Sequence, residues 1–134
     1  MDELKLPASD RRIIVTIHYY VPFRFTHQGA RWVGLQDEVG VHWSGTPAER
    51  QAVRRDFDAA DQWAREQHRP LYLGEFGAYE AGDMASRALW PDHVAREAER
   101  RGWSWSYWQF DSDFIVYDIP GDTWVEPIRR ALLS

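Results

Sequence analysis

Three short apolar runs, separated by segments of helical periodicity, constrain the fold of this 134-residue chain more than any other feature. The first is the β-branched run Ile13-Ile14-Val15-Thr16-Ile17, inside the stretch Arg11 to Tyr20. Branching at Cβ favours a strand, and apolar residues on both faces are expected of a strand covered on each side in a parallel sheet. The second run is Leu71 to Glu75, set off by Pro70. The third is Trp103-Ser104-Trp105-Ser106-Tyr107-Trp108, in which large and small residues alternate with the period of a strand.

The intervening segments predict helices. Thr46 can cap, Pro47 suits the first helical position and Glu49 completes a capping box. Val53, Phe57, Ala60 and Ala64 then follow at helical spacing, which carries the helix to about Gln67. Pro91 begins or restarts a second helix carrying Val94, Ala95 and Ala98, with Gly102 as its stop. A last amphipathic helix carries Trp124, Ile128 and Leu132, with Pro127 in its first turn. The order strand, helix, strand, helix, strand, helix predicts an α/β fold of three βα units, with parallel strands joined by right-handed crossovers. The length suits a single domain over residues 1–134.

Composition removes several function classes. A net charge of −5 argues against a phosphate-backbone partner, so no nucleic acid is expected. With no cysteine there are neither disulfides nor thiolate metal sites. No histidine pair has metalloprotease spacing, and no glycine-rich phosphate loop or serine-nucleophile elbow occurs, so no metal or cofactor is expected. The polar first ten residues hold no signal-peptide core, and no run reaches the roughly twenty apolar residues of a membrane span. A soluble chain without a membrane partner is expected, with its location undefined. Eight tryptophans, however, require either a large core or a flat-ring binding surface.

In a βα architecture function gathers at the carboxyl ends of the strands. The first predicted strand ends on His18-Tyr19-Tyr20, the second on Glu75 and the third on Trp108-Gln109-Phe110-Asp111. Strand periodicity, without bulges, places His18 and Tyr20 on one face with Ile14 and Thr16. It places Trp108 on a face with Ser104 and Ser106, while Trp103, Trp105 and Tyr107 point toward helices. Gly74 and Gly77 permit close backbone approach beside the Glu75 carboxylate. A carboxylate, polar groups to orient it and flat rings to stack on pyranose faces are what chemistry on sugars needs. Trp32 and Trp43 are further stacking candidates.

The stretches His18-Tyr19-Tyr20-Val21-Pro22-Phe23, Phe25-Thr26-His27-Gln28-Gly29-Ala30, Tyr72-Leu73-Gly74-Glu75-Phe76-Gly77 and Trp105-Ser106-Tyr107-Trp108 closely resemble glycoside hydrolase family five, the cellulases. The resemblance covers almost the whole chain. It implies a retaining hydrolase on a (β/α)8 TIM barrel, with this chain supplying strands six to eight and hence a partial barrel. It implies that the first ten residues continue the helix before strand six. It further implies Glu75 as nucleophile, His18 and Tyr20 as the active-site pair after strand six, and Trp108 as the stacking ring after strand eight. The implied partner is a β-glucan polysaccharide or oligosaccharide.

The family's acid/base is a glutamate that follows an asparagine, and this chain contains no asparagine. Retention needs two carboxyl groups about 5 Å apart. Asp111, Asp113, Glu80 and Glu38 are the loop acids available to replace the second. A noncatalytic glucan-binding piece, or an inactive barrel fragment, is the alternative expectation. Three parallel strands cannot close a barrel and leave two unpaired edges, which predicts a homo-oligomer.

Overall fold

The computed structural model describes residues 4–134. Three parallel strands form one sheet in the order β1-β2-β3: β1 Val15–His18, β2 Leu71–Glu75 and β3 Ser104–Trp105. Between β1 and β2 lie the short helix α1, Phe23–Thr26, a 3-10 turn at Arg31–Val33 and the long helix α2, Pro47–Gln67. Helix α3, Met84–Arg100, connects β2 to β3. A hairpin of β4, Tyr117–Asp118, and β5, Thr123–Trp124, precedes helix α4, Glu126–Leu133.

Helix α2 forms where its local sequence predicts. The Thr46 side chain accepts from the Glu49 N–H, and the Glu49 carboxylate accepts from the Thr46 N–H at 2.7 Å. Its apolar stripe buries Val53, Phe57, Ala60, Trp63 and Ala64 against the sheet. Helix α3 ends at Arg100 with Gly102 in the left-handed region, as expected of a glycine stop.

Four expectations are corrected. Of the two readings of Pro91, a start is excluded: helix α3 is already under way there, having begun at Met84, because the Asp83 carboxylate accepts from the Ser86 N–H at 2.9 Å and caps the helix upstream. Pro91 lies buried two turns inside, where it leaves the Arg87 carbonyl without its helical donor. The third strand is shorter than predicted. Its ladder covers only Ser104 and Trp105, although single bonds from Ser106 N to the Leu73 carbonyl and from Trp108 N to the Phe76 carbonyl, both 2.9 Å, continue the direction. Trp124 is not on the last helix but exposed on β5, where it pairs with Tyr117 across the hairpin. Residues 4–10 form no helix, and the rest of that expectation lies outside the described residues.

The core lies on one side of the sheet. Leu71, Leu73, Trp90, Val94 and Trp103 pack there, with Ile128 and Leu132 of α4 closing the outer layer over α3. The opposite face is open, so cover on both faces is not what the described residues provide: Ile14 remains 63% exposed. No helix among the described residues is long and apolar enough to cross a membrane.

Candidate active site

The carboxyl end of the sheet is shaped by a break in register. Ile17 pairs with Leu73, but the next residue, His18, pairs with Glu75. Gly74 is therefore an extra residue on β2, a bulge in a parallel pair. In an unbroken strand Glu75 would share the face of Leu71 and Leu73 and point toward the helices. The bulge turns its carboxylate to the open face, where His18 and Tyr20 lie. The sequence reading assumed regular strands; the irregularity is what brings these three side chains together.

The contacts are specific. The Tyr20 hydroxyl donates to Glu75 Oε2 at 3.1 Å, and His18 Nδ1 lies 3.3 Å from the same oxygen. No hydrogen bond from the described residues reaches Oε1. Burial, then the charge of Glu75 and its hydrogen bond, push the Tyr20 phenol well above its ordinary range. Tyr20 is thereby held as a donor at neutral pH.

Both glycines around Glu75 are required by space. A Cβ on Gly74 would run into the Thr16 hydroxyl on the neighbouring strand, and one on Gly77 would overlap the Trp108 carbonyl. The Trp108–Gln109 peptide is cis. Ser106 Oγ donates to the Gly74 carbonyl at 2.5 Å and ties the third strand to the bulge.

These groups line a cleft of about 310 Å³. Glu75, Tyr20 and Trp108 form one side of it. The exposed Trp32, together with His27, Gln109, Asp113 and Phe114, completes the lining, and His18 lies outside it. His27 is fixed by Thr26, whose hydroxyl lies 2.9 Å from Nδ1 and 2.7 Å from the Tyr20 carbonyl. Its ring stacks on Phe23 at 4.0 Å and meets Tyr20 edge-on at 5.0 Å. Burial holds its pKa below the ordinary histidine value. His27 and Phe114 escaped the sequence reading as site residues because loops, not strand ends, deliver them. His27 lies in a segment flagged only as a family pattern.

Trp43, by contrast, is 1% exposed and packs in the core, with its ring beside His93 at 5.7 Å, so it offers no face for a ligand. Of the four loop acids only Asp113 lines the cleft. Glu38 is engaged by Arg24 at 2.6 Å, and Glu80 opens into a neighbouring cavity. Among the described residues no cluster of three or more His, Asp or Glu could hold a metal ion.

The family model for cellulase (glycosyl hydrolase family 5) matches residues 1–114. Endoglucanase H of Acetivibrio thermocellus is 32% identical over 98% of the chain, which spans 14% of that protein. The crystal structure of a hyperthermophilic endo-beta-1,4-glucanase in complex with substrate superposes with a TM-score of 0.94 at 46% identity, over 99% of this chain and 43% of that one. Cel5A of Thermotoga maritima, solved with mannotriose, superposes at 0.95 and 44% identity, over 98% and 43%. The chain therefore spans less than half the length of its solved relatives. Its three-stranded parallel sheet is a part of their TIM barrel.

Proposed function

We propose, because the chain belongs to the cellulase family, glycosyl hydrolase family 5, that Glu75 is the nucleophile of a retaining hydrolase acting on β-1,4-linked glucans. His18 and Tyr20 hold its carboxylate, and Trp108 is the ring on which a sugar stacks. The observation that carries this reading is the convergence of Tyr20 and His18 on Oε2 of a carboxylate that lines the cleft, while Oε1 takes no hydrogen bond from the described residues and is free to attack.

In this chemistry Oε1 bonds to the anomeric carbon as the glycosidic oxygen departs, giving a glycosyl ester that water later cleaves. Tyr20 and His18 orient the carboxylate for attack, which is a positional contribution. The stacking ring covers the C–H face of the sugar. Departure of an ordinary sugar alcohol requires a proton from a second carboxyl group. Asp113 lines the cleft, but the glutamate of the family's Asn-Glu pair has no counterpart in a chain without asparagine.

The test therefore uses a leaving group that needs no proton. A fluorinated β-cellobioside bearing dinitrophenolate should label the wild type with one fluorocellobiosyl group at Glu75, detected by peptide mass. Labelling of Glu75→Gln to the same extent would remove Glu75 from the mechanism. Reducing-sugar release from soluble cellulose then measures whether a proton donor is also present.

A noncatalytic glucan-binding role is the second reading, favoured by two exposed tryptophans, Trp32 and Trp108, on a cleft lined by one family carboxylate. Cellotetraose binding without labelling would select it. On either reading we take residues 1–134 as a single partial-barrel domain whose open edges, on β1 and β3, pair with a second copy. A dimer or larger species is expected in light scattering, and a monomer at micromolar concentration contradicts it.

A further inference from the structure

Thr26, the last residue of α1, is fully buried, and three polar atoms surround its hydroxyl. The Tyr20 carbonyl lies at 2.7 Å, the Phe23 carbonyl at 3.3 Å and His27 Nδ1 at 2.9 Å. A hydroxyl carries one proton, and a carbonyl can only accept. The Thr26 proton is therefore committed to Tyr20 or Phe23. Toward His27 the same oxygen is an acceptor, so Nδ1 must be the donor.

The His27 ring is enclosed by other rings. Phe23 stacks on it at 4.0 Å, and Tyr20 and Phe114 meet it edge-on at 5.0 Å and 5.4 Å. Such burial disfavours the charged form and holds the pKa below the ordinary value. A neutral imidazole bears one proton. With that proton on Nδ1, Nε2 presents a lone pair. Nε2 takes no hydrogen bond from the described residues, yet it is not sealed in: the buried side-chain atoms left without a partner there are Arg87 Nη2 and Arg96 Nε. The ring lines the cleft beside Trp32 and Trp108, and Thr26 occupies its Nδ1 edge. Nε2 is thus the polar atom that His27 offers to a ligand.

We infer that Thr26 is a positioning residue: it locks His27 in the Nδ1–H tautomer, so that the cleft holds a fixed acceptor, Nε2, for a sugar hydroxyl, a role that rests on the glucan reading of the cleft. The same Thr26 oxygen restrains the Tyr20 carbonyl, and the Tyr20 hydroxyl donates to Glu75. One buried hydroxyl therefore holds both the residue that orients the carboxylate and the residue that receives the sugar.

Imidazole nitrogen NMR of the isotope-labelled full chain at neutral pH, titrated with cellotetraose, reads the tautomer directly. In the wild type the proton should be on Nδ1, and cellotetraose should move the Nε2 resonance while leaving Nδ1 nearly in place. Thr26→Val keeps the shape of the side chain but removes the acceptor. A buried Nδ1–H without an acceptor is costly, so the proton should move to Nε2. Cellotetraose binding should then weaken about tenfold, the size of one lost neutral hydrogen bond. Thr26→Ser retains the hydroxyl and should keep both the tautomer and the affinity. A proton on Nε2 in the wild type, or an Nε2 resonance that bound cellotetraose does not move, overturns the inference without any variant having to fold. Thr26→Val that keeps its proton on Nδ1, or binds as tightly as the wild type, overturns it as well. These failures leave the glucan reading standing, because cellotetraose still binds. A wild type that binds no cellotetraose overturns the glucan reading, and with it the role of Nε2.

Discussion

Replacing Glu97 by glutamine removes the charge on which the layer behind the site is built. Glu97 lies on α3 at 3% exposure, and three guanidinium groups and a histidine converge on it. Arg54 of α2 approaches at 3.0 Å, Arg100 at 2.5 Å, Arg101 at 2.9 Å and His93 at 3.9 Å. The carboxylate thus bridges the two helices that back the sheet. Burial raises the Glu97 pKa, but hydrogen bonds from Arg101 and Arg54 and the charges of Arg100 and His93 outweigh it and hold it below the ordinary value. Removing one partner of a buried pair costs about 3–5 kcal/mol. That range is an upper bound here, because Arg54 and Arg100 are half exposed and regain water. Arg101 stays enclosed but keeps Asp58 at 2.5 Å. Glutamine also retains one acceptor oxygen. The expected loss is therefore about 2 kcal/mol, or about 5–10 °C in Tm for a chain of this size.

Urea unfolding followed by tryptophan fluorescence at pH 7 measures that loss, with an unchanged m-value as the control. The pH dependence supplies a second readout. The folded pKa lies below the unfolded value of 4.5, so the stabilisation is present in full above about pH 4.5 and is lost as pH falls through the folded pKa. The gap between wild type and variant should shrink over that window. A loss under about 0.5 kcal/mol at pH 7, against the range expected for buried pairs, or a gap of the same size at pH 7 and pH 3, would refute the reasoning.

Three further outcomes are expected. Gly77→Ala places a methyl group against the Trp108 carbonyl, which is backbone and must shift. It should cost about 1–3 kcal/mol in a urea titration and alter the near-ultraviolet circular dichroism of the tryptophans, and an unperturbed spectrum contradicts it. Thr46→Ala removes one side of the α2 capping box and should lower stability by about 1 kcal/mol in the same titration. Burial lowers the pKa of His93, opposed by the Arg50 carbonyl and the charge of Glu97 and assisted by the charges of Arg50 and Arg54. Its folded pKa thus lies below 6.5, so stability should be full above about pH 6.5 and fall as pH drops toward the folded value. His27 acts in the same direction. His93→Gln should flatten that slope, and a wild-type curve that is level from pH 7 to pH 5 counts against it.

The elements legible in the sequence were those with local causes. Helix α2 carries its own capping box, β1 its β-branched run and the end of α3 its glycine. The misread elements depended on partners distant in the chain or on a signal with two meanings. Pro91 resembles a helix start, but the side chain of Asp83 had already started one. Trp124 has helical spacing to Ile128, but pairing with Tyr117 holds it on a strand. Trp32 and Trp43 cannot be told apart by composition, and only packing decides that one lines a cleft while the other fills the core.

By itself the sequence determined that this chain forms parallel βα units, and that a histidine, a tyrosine, a glutamate and a tryptophan stand at the strand ends. Strand periodicity and cap chemistry are local, so they can be read from residues in order. Whether those side chains meet was decided only by tertiary structure. The turn of Glu75 toward Tyr20 and His18 comes from a one-residue shift in register at Gly74. That shift exists because two strands more than fifty positions apart pair, with Thr16 lying where a side chain on residue 74 would have to be. No pattern within either strand encodes that contact.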